Sequence, residues 1–252
     1  MRIIALVAVA VLLAGCGGVP AEKKSAEATP EYFQVDAATA GSISGKVTFT
    51  GKKPALRKIL MEDEEECLKA HDGKAPVDPS VTVNAGGALA NVIVYVKSGL
   101  EGKNFAPVQA PVSFDQRGCM FVPRVLGIRV NQPLKVTNSD PVTHNVHPMP
   151  RVNREWNQGQ PAGADPVERQ FSQQEAVFPV KCNVHAWMKA YFLVLDHPYF
   201  STVRGDGSFE LRDLPPGDYV VEAWHERYPA QEKKISVTPS GAIAADFTFQ
   251  GE

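Results

Sequence analysis

The stretch Val180-Lys181-Cys182-Asn183-Val184-His185-Ala186-Trp187-Met188-Lys189 sets a thiol, an imidazole and a thioether at three-residue steps. A helix rises about 1.5 Å per residue, so on a helix the outer two side chains would stand roughly 9 Å apart. They would then be too far apart to share one ion held by bonds of about 2 Å. A loop brings all three together, and the flanks favour a loop between strands. Before it, Ala176, Phe178 and Val180 alternate with Val177, Pro179 and Lys181; after it, Tyr191-Phe192-Leu193-Val194-Leu195 is a short aromatic and branched run. A soft sulfur, a borderline nitrogen and a weak axial sulfur suit copper. A further imidazole stands upstream, in Asp140-Pro141-Val142-Thr143-His144-Asn145-Val146-His147.

Cys-x-x-His-x-x-Met closing a strand, with His-Asn-Val-His about forty residues earlier, resembles the cupredoxin family, its amicyanin-like members in particular. The resemblance covers roughly residues 108 to 196. It takes in Val112-Ser113-Phe114-Asp115, a loop with Cys119, and the run from Gly127 to Asn138. It implies one type 1 copper held by His144, Cys182, His185 and Met188, with Asn145 as the amide that ties the two ligand loops together. It also implies that His185 reaches the surface as the electron port, beside an apolar rim at Ala186 and Trp187. His147 competes with His144, but residues three apart in an extended segment point to opposite faces, so both cannot serve one ion.

At the start of the chain, Arg2 followed by the apolar run Ile3 to Leu13 reads as a signal peptide, too short to span a bilayer. Leu13-Ala14-Gly15-Cys16 resembles a bacterial lipobox, which implies that Cys16 becomes a lipidated terminus and holds the protein to a membrane surface. The expected location is the bacterial cell envelope, at a periplasmic or outer-membrane face. Residues 17–38, rich in Ala, Glu, Lys, Gly and Pro, read as a flexible tether.

Four cysteines are present. With Cys16 assigned to lipid and Cys182 to metal, Cys67 and Cys119 remain, and an oxidising compartment favours a disulfide between them. A second metal site at Cys67-Leu68-Lys69-Ala70-His71 has too few ligands, and His71 reads as an exposed residue. The 26 basic and 28 acidic residues give a net charge of −2, and losing Arg2 with the signal makes it about −3, which argues against a nucleic-acid partner. The acidic run Glu62 to Glu66 reads as a solvated face, with a short helix over Glu62 to Ala70.

The chain otherwise reads as strand. Ile43, Gly45, Val47 and Phe49 alternate with polar residues, Asp206-Gly207 reads as a hairpin turn, and Leu214 to Tyr219 as a second turn. Gly-x-Ile-x-Gly-x-Val at Gly41 to Val47, with the C-terminal turns, resembles the transthyretin-like sandwich of carboxypeptidase regulatory-like domains. The expected fold is therefore all-β: a cupredoxin-like Greek-key sandwich over 105–196, inserted into a smaller sandwich built from 41–104 and 197–252, with simple tandem order and an N-terminal arm on the cupredoxin as the alternative. The expected function is that of a membrane-tethered, single-copper electron carrier and not an enzyme. Its expected partners are redox proteins such as a c-type cytochrome or a membrane oxidoreductase. A copper-delivery lipoprotein and a structural lipoprotein with an empty site are the alternatives.

Overall fold

The alternation that marks the first strand is borne by the packing: β1 (Gly41–Thr50) buries Ile43, Val47 and Phe49 and exposes Ser44, Lys46 and Thr50. In this computed structural model residues 30–61 and 63–251 are described. The signal segment with Cys16, and the tether as far as residue 29, lie outside the described residues. The chain divides into two units, Met1–Glu31 and Tyr32–Glu252, and the described strands all belong to the second.

After β1 come a short helix α1 (Glu65–Lys69) and β2 (Ile93–Ser98). A run of nine strands follows: β3 (Val112–Gln116), β4 (Phe121–Val122), β5 (Val125–Arg129), β6 (Leu134–Asn138), β7 (His144–Pro148), β8 (Gln158–Gln160), β9 (Val167–Arg169), β10 (Glu175–Lys181) and β11 (Lys189–Leu195). The last six are β12 (Phe200–Thr202), β13 (Ser208–Leu214), β14 (Gly217–His225), β15 (Tyr228–Val237), β16 (Ala242–Ala244) and β17 (Phe247–Gln250). The protein is all-β, and the four sheets of the described residues form two sandwiches. The inner one stacks β5-β11-β10-β7-β8 on β4-β3-β6-β9; the outer one stacks β13-β1-β16, with β17 also on β1, against β12-β2-β14-β15. Strands from before residue 100 and after residue 200 thus share both outer sheets, and β3 to β11 stand between them in the sequence.

The inner core is aromatic. Phe114 meets the Phe192 ring edge-on at 4.8 Å between centroids, and Phe171 and Phe178 complete the group. Edge-to-face pairs of this kind add about 0.5–1.5 kcal/mol each beyond burial. A separate cluster joins the sandwiches: Val125, Leu193 and Leu195 from β5 and β11 pack against Ile93 and Tyr95 from β2. Gly127 is required there, because a Cβ on it would stand 2.3 Å from the Phe200 ring. Beside this cluster Arg124 is ion-paired to Glu226, both side chains nearly buried, and Tyr191 also bonds Glu226 at 3.2 Å.

One local expectation changes. Asp206-Gly207 does make a tight turn, with Gly207 at φ +84°, but it does not join paired strands: β12 goes to β2 and β13 to β1. The turn hands the chain from one outer sheet to the other. Between β7 and β9 the chain adds the short β8, which pairs with β7.

Residues 57–78 leave the outer sandwich and return to where they left. Ile59 N–H donates to Pro76 O at 2.8 Å and Asp78 N–H to Arg57 O at 2.7 Å, closing the base of the excursion. Its apolar side chains Ile59, Met61 and Cys67 are buried in the inner core, not the outer one. Cys67 and Cys119 form a disulfide, with Cα atoms 5.4 Å apart, that fixes the excursion to the inner sandwich. In the chain-entropy picture, closing this 52-residue separation stabilises the fold by about 4 kcal/mol.

Candidate metal centre

The candidate ligands gather at one end of the inner sandwich. β7 opens at His144, β10 ends at Lys181 and β11 begins at Lys189, so residues 182–188 loop over that end. The antiparallel register, His147 opposite Lys181, carries His144 up to the loop. The loop holds its own shape: Cys182 N–H donates to Met188 O at 3.2 Å, and Met188 N–H donates to His185 O at 3.0 Å.

His144, Cys182, His185 and Met188 are all buried. The Nδ1 atoms of His144 and His185 face each other at 2.9 Å. One ligand atom each from His144, Cys182 and His185 lie within 4.8 Å of one another. Met188 packs in the same core cluster as Cys182. Asn145 links the two segments: its Oδ1 accepts Asn183 N–H at 2.7 Å and lies 3.3 Å from Cys182 Sγ, while its Nδ2 donates to Asn157 at 2.7 Å. His147 sits outside this group, bonded to Asn183 at 3.1 Å and to Glu155 at 2.5 Å.

Asp140 is a participant that spacing did not reveal. His144 Nε2–H donates to Asp140 Oδ2 at 2.8 Å, and the Gly118 and Cys119 N–H groups hold the same carboxylate at 2.6 and 2.8 Å. An Asp four residues before a His on an irregular segment carries no periodic signal, so only the fold shows the pairing. Burial raises the Asp140 pKa, but the bonds from His144 and from these two N–H groups outweigh it and hold the carboxyl below its ordinary range. Burial likewise lowers His144, yet Asp140 and the Cys182 sulfur more than offset that and push it up to about 9. Burial raises the Cys182 thiol, but bonds from His144 and from the Asn145, His185 and Val184 N–H groups hold it below its usual value. His185 is lowered, first by burial and then by the charge on His144, with Glu64 opposing.

His185 is not at the surface. Only 1 % of it is exposed, which corrects the expectation of an open imidazole edge with an apolar rim. The excursion 57–78 covers it: Cys67 Sγ lies 3.9 Å and Glu64 Oε2 3.6 Å from His185 Nε2. Trp187, expected on that rim, instead donates its indole N–H to Cys119 O at 3.0 Å. His71 is not simply exposed either; its Nε2–H donates to Gly118 O at 2.8 Å and braces the disulfide loop. The cover was invisible in the sequence because it arises 118 residues before the histidine it buries.

The donor set fits a copper ion. Two buried imidazoles turn the same nitrogen inward, and a thiol biased towards thiolate stands beside them, which is nitrogen and soft-sulfur ligation in one dry pocket.

No protein-family model matches the chain, and no curated protein matches it. Solved structures similar to part of it include the "Novel Purple Cupredoxin from Nitrosopumilus maritimus", at 20% identity and TM-score 0.29 over 33% of this chain and 98% of that one. A reduced mutant of amicyanin is similar at 17% identity and TM-score 0.30, covering 40% and 97%. Pseudoazurin from Methylobacterium extorquens AM1 is similar at 18% identity and TM-score 0.29, covering 35% and 77%.

Proposed function

We propose that this chain carries single electrons on one copper ion held by His144, Cys182, His185 and Met188. The observation that carries the reading is the inward pair of Nδ1 atoms, 2.9 Å apart, with the Cys182 sulfur beside them and almost no exposed surface on any of the three residues. Bound copper supplies a one-electron couple between its singly and doubly charged states. The protein's residues do the rest. Asp140 holds His144 Nε2–H, so that its Nδ1 is turned to the metal side, and the backbone N–H groups of Asn145 and His185 bond the Cys182 sulfur as an acceptor. Bonds from outer groups to ligands fix their orientation and tune the metal. Strands on both sides of the loop restrain the donors, so they move little between charge states. A delivery role is disfavoured by the same geometry: ligands this deeply buried, under a disulfide-fixed cover, favour retention over hand-off.

The rest of the reading is proposed with it. Cys16 would carry lipid at a bacterial envelope membrane, and a redox protein such as a c-type cytochrome or membrane oxidoreductase would give or take the electron. No substrate is transformed. The test is copper loading of the purified chain, followed by visible absorption and electron paramagnetic resonance. One copper per chain with an intense thiolate-to-copper band is expected, and Cys182→Ser should abolish the band. A chain that takes up no stoichiometric copper, or a band that survives Cys182→Ser, overturns the reading.

A further inference from the structure

The outer edges of the two imidazoles face a second set of donors. His185 Nε2 lies 3.6 Å from Glu64 Oε2 and 3.9 Å from Cys67 Sγ, and one ligand atom from each of the three lies within 4.8 Å of the others. Cys119, Asp140 and His144 make a like group within the same limit. The Cys67–Cys119 bond joins the two groups, so two sulfurs, two carboxylates and two ring edges occupy one layer directly outside the candidate copper donors.

As a disulfide, this pair does not ligate metal, because the ligand is the thiolate. We infer that reducing Cys67–Cys119 opens a second metal site, made of Cys67, Cys119, Glu64 and His185 Nε2, for a soft or borderline divalent ion of the zinc and cadmium class. Two sulfurs, one nitrogen and one carboxylate oxygen are all ligand types that zinc accepts, and four of them complete a tetrahedral shell. The reductant is a dithiol. It gives up two electrons and becomes a disulfide; the Cys67–Cys119 bond breaks, and each sulfur takes a proton that metal binding later displaces. The site has a way in. Glu64 is 43% exposed in its side chain, and α1 beside it is five residues long with no side-chain cap bond at its N-terminus, so the cover has little local structure to resist lifting. In the reduced chain two thiols stand beside Glu64, and a divalent cation that displaces their protons neutralises the charge they leave. The site uses only the outer ring edge, so it does not rest on the copper reading.

The probe is cadmium(II), whose bonds to thiolate absorb in the ultraviolet. The full chain carrying Cys182→Ser, which silences the inner thiol, is reduced with a dithiol, freed of reductant without oxygen, and titrated. Reduced protein should bind one cadmium per chain with a thiolate band, and oxidised protein should show no band. Adding Cys67→Ser should remove the band, and Glu64→Gln should weaken binding about tenfold. Near-ultraviolet circular dichroism follows folding in the same samples. A folded, reduced chain without the band overturns the inference. So does a band indifferent to Glu64→Gln, which would mean that the thiols bind metal in an opened chain.

Discussion

Asp140 shows how much of the centre is decided by one side chain outside the ligand set. It takes the outer N–H of His144 and two backbone N–H groups from the loop carrying Cys119, so it fixes both a ligand tautomer and the disulfide loop. Asp140→Asn keeps the shape but removes the charge. A 10- to 100-fold loss of copper affinity is expected, the usual cost of losing such a partner, measured by competition with a chelator. At this scale the candidate ligands are readable, because a thiol, imidazole and thioether so close together are chemically conspicuous. Asp140, Glu64 and Cys67 are not readable as neighbours of the histidines. Carboxylates are common, and nothing in their spacing sets these apart. The buried state of His185 is unreadable for the same reason, since it depends on a contact with residue 67 and not on its own surroundings in sequence.

Among the elements, the excursion 57–78 matters most. Its expected helix is there, shorter than the span Glu62 to Ala70, as Glu65–Lys69. Its placement has no local signal. Residues that lie between two outer strands give Ile59, Met61 and Cys67 to the inner core. Cys67→Ala with Cys119→Ala is expected to cost about 4 kcal/mol of stability in urea unfolding, since the cover then closes without a covalent link. The turn at Asp206-Gly207 shows the limit of local signals. Turn chemistry is legible there, and Gly207 does adopt the left-handed conformation, but which sheet each flanking strand joins is decided by burial against partners far away.

In the molecule as a whole, the two sandwiches are held together by the Ile93–Val125 cluster and by the Arg124–Glu226 pair. The pair is nearly dry, so Arg124→Met leaves Glu226 as an uncompensated buried charge. A loss of roughly 3–5 kcal/mol is expected in denaturant unfolding, partly restored by adding Glu226→Gln. Stability should also depend on pH through His197 and His225. Burial, helped by nearby arginines, lowers both from 6.5 to about 4. Below pH 6.5 the unfolded chain takes up protons on these rings that the folded chain refuses. Stability therefore falls as pH drops from 6.5 towards 4 and levels off below that. His144, raised to about 9, titrates above this window. Thermal midpoints measured from about pH 7 to about pH 4.5 should show the fall, and His197→Gln with His225→Gln should reduce it, leaving the share of His185, which burial also lowers.

The pairing of β1 reaches furthest along the chain. Gly41–Thr50 lies parallel to Ala242–Ala244 and Phe247–Gln250, some two hundred positions later. A ribosome delivers residues in order, so for most of the time of synthesis this strand has no partner on that edge. The inner strands, whose partners are near in sequence, are free to assemble in that interval. An unpaired edge is a template for other chains. A slow translation rate or a stalled ribosome should therefore send this protein towards aggregates built on its first strand, while the inner sandwich is already formed.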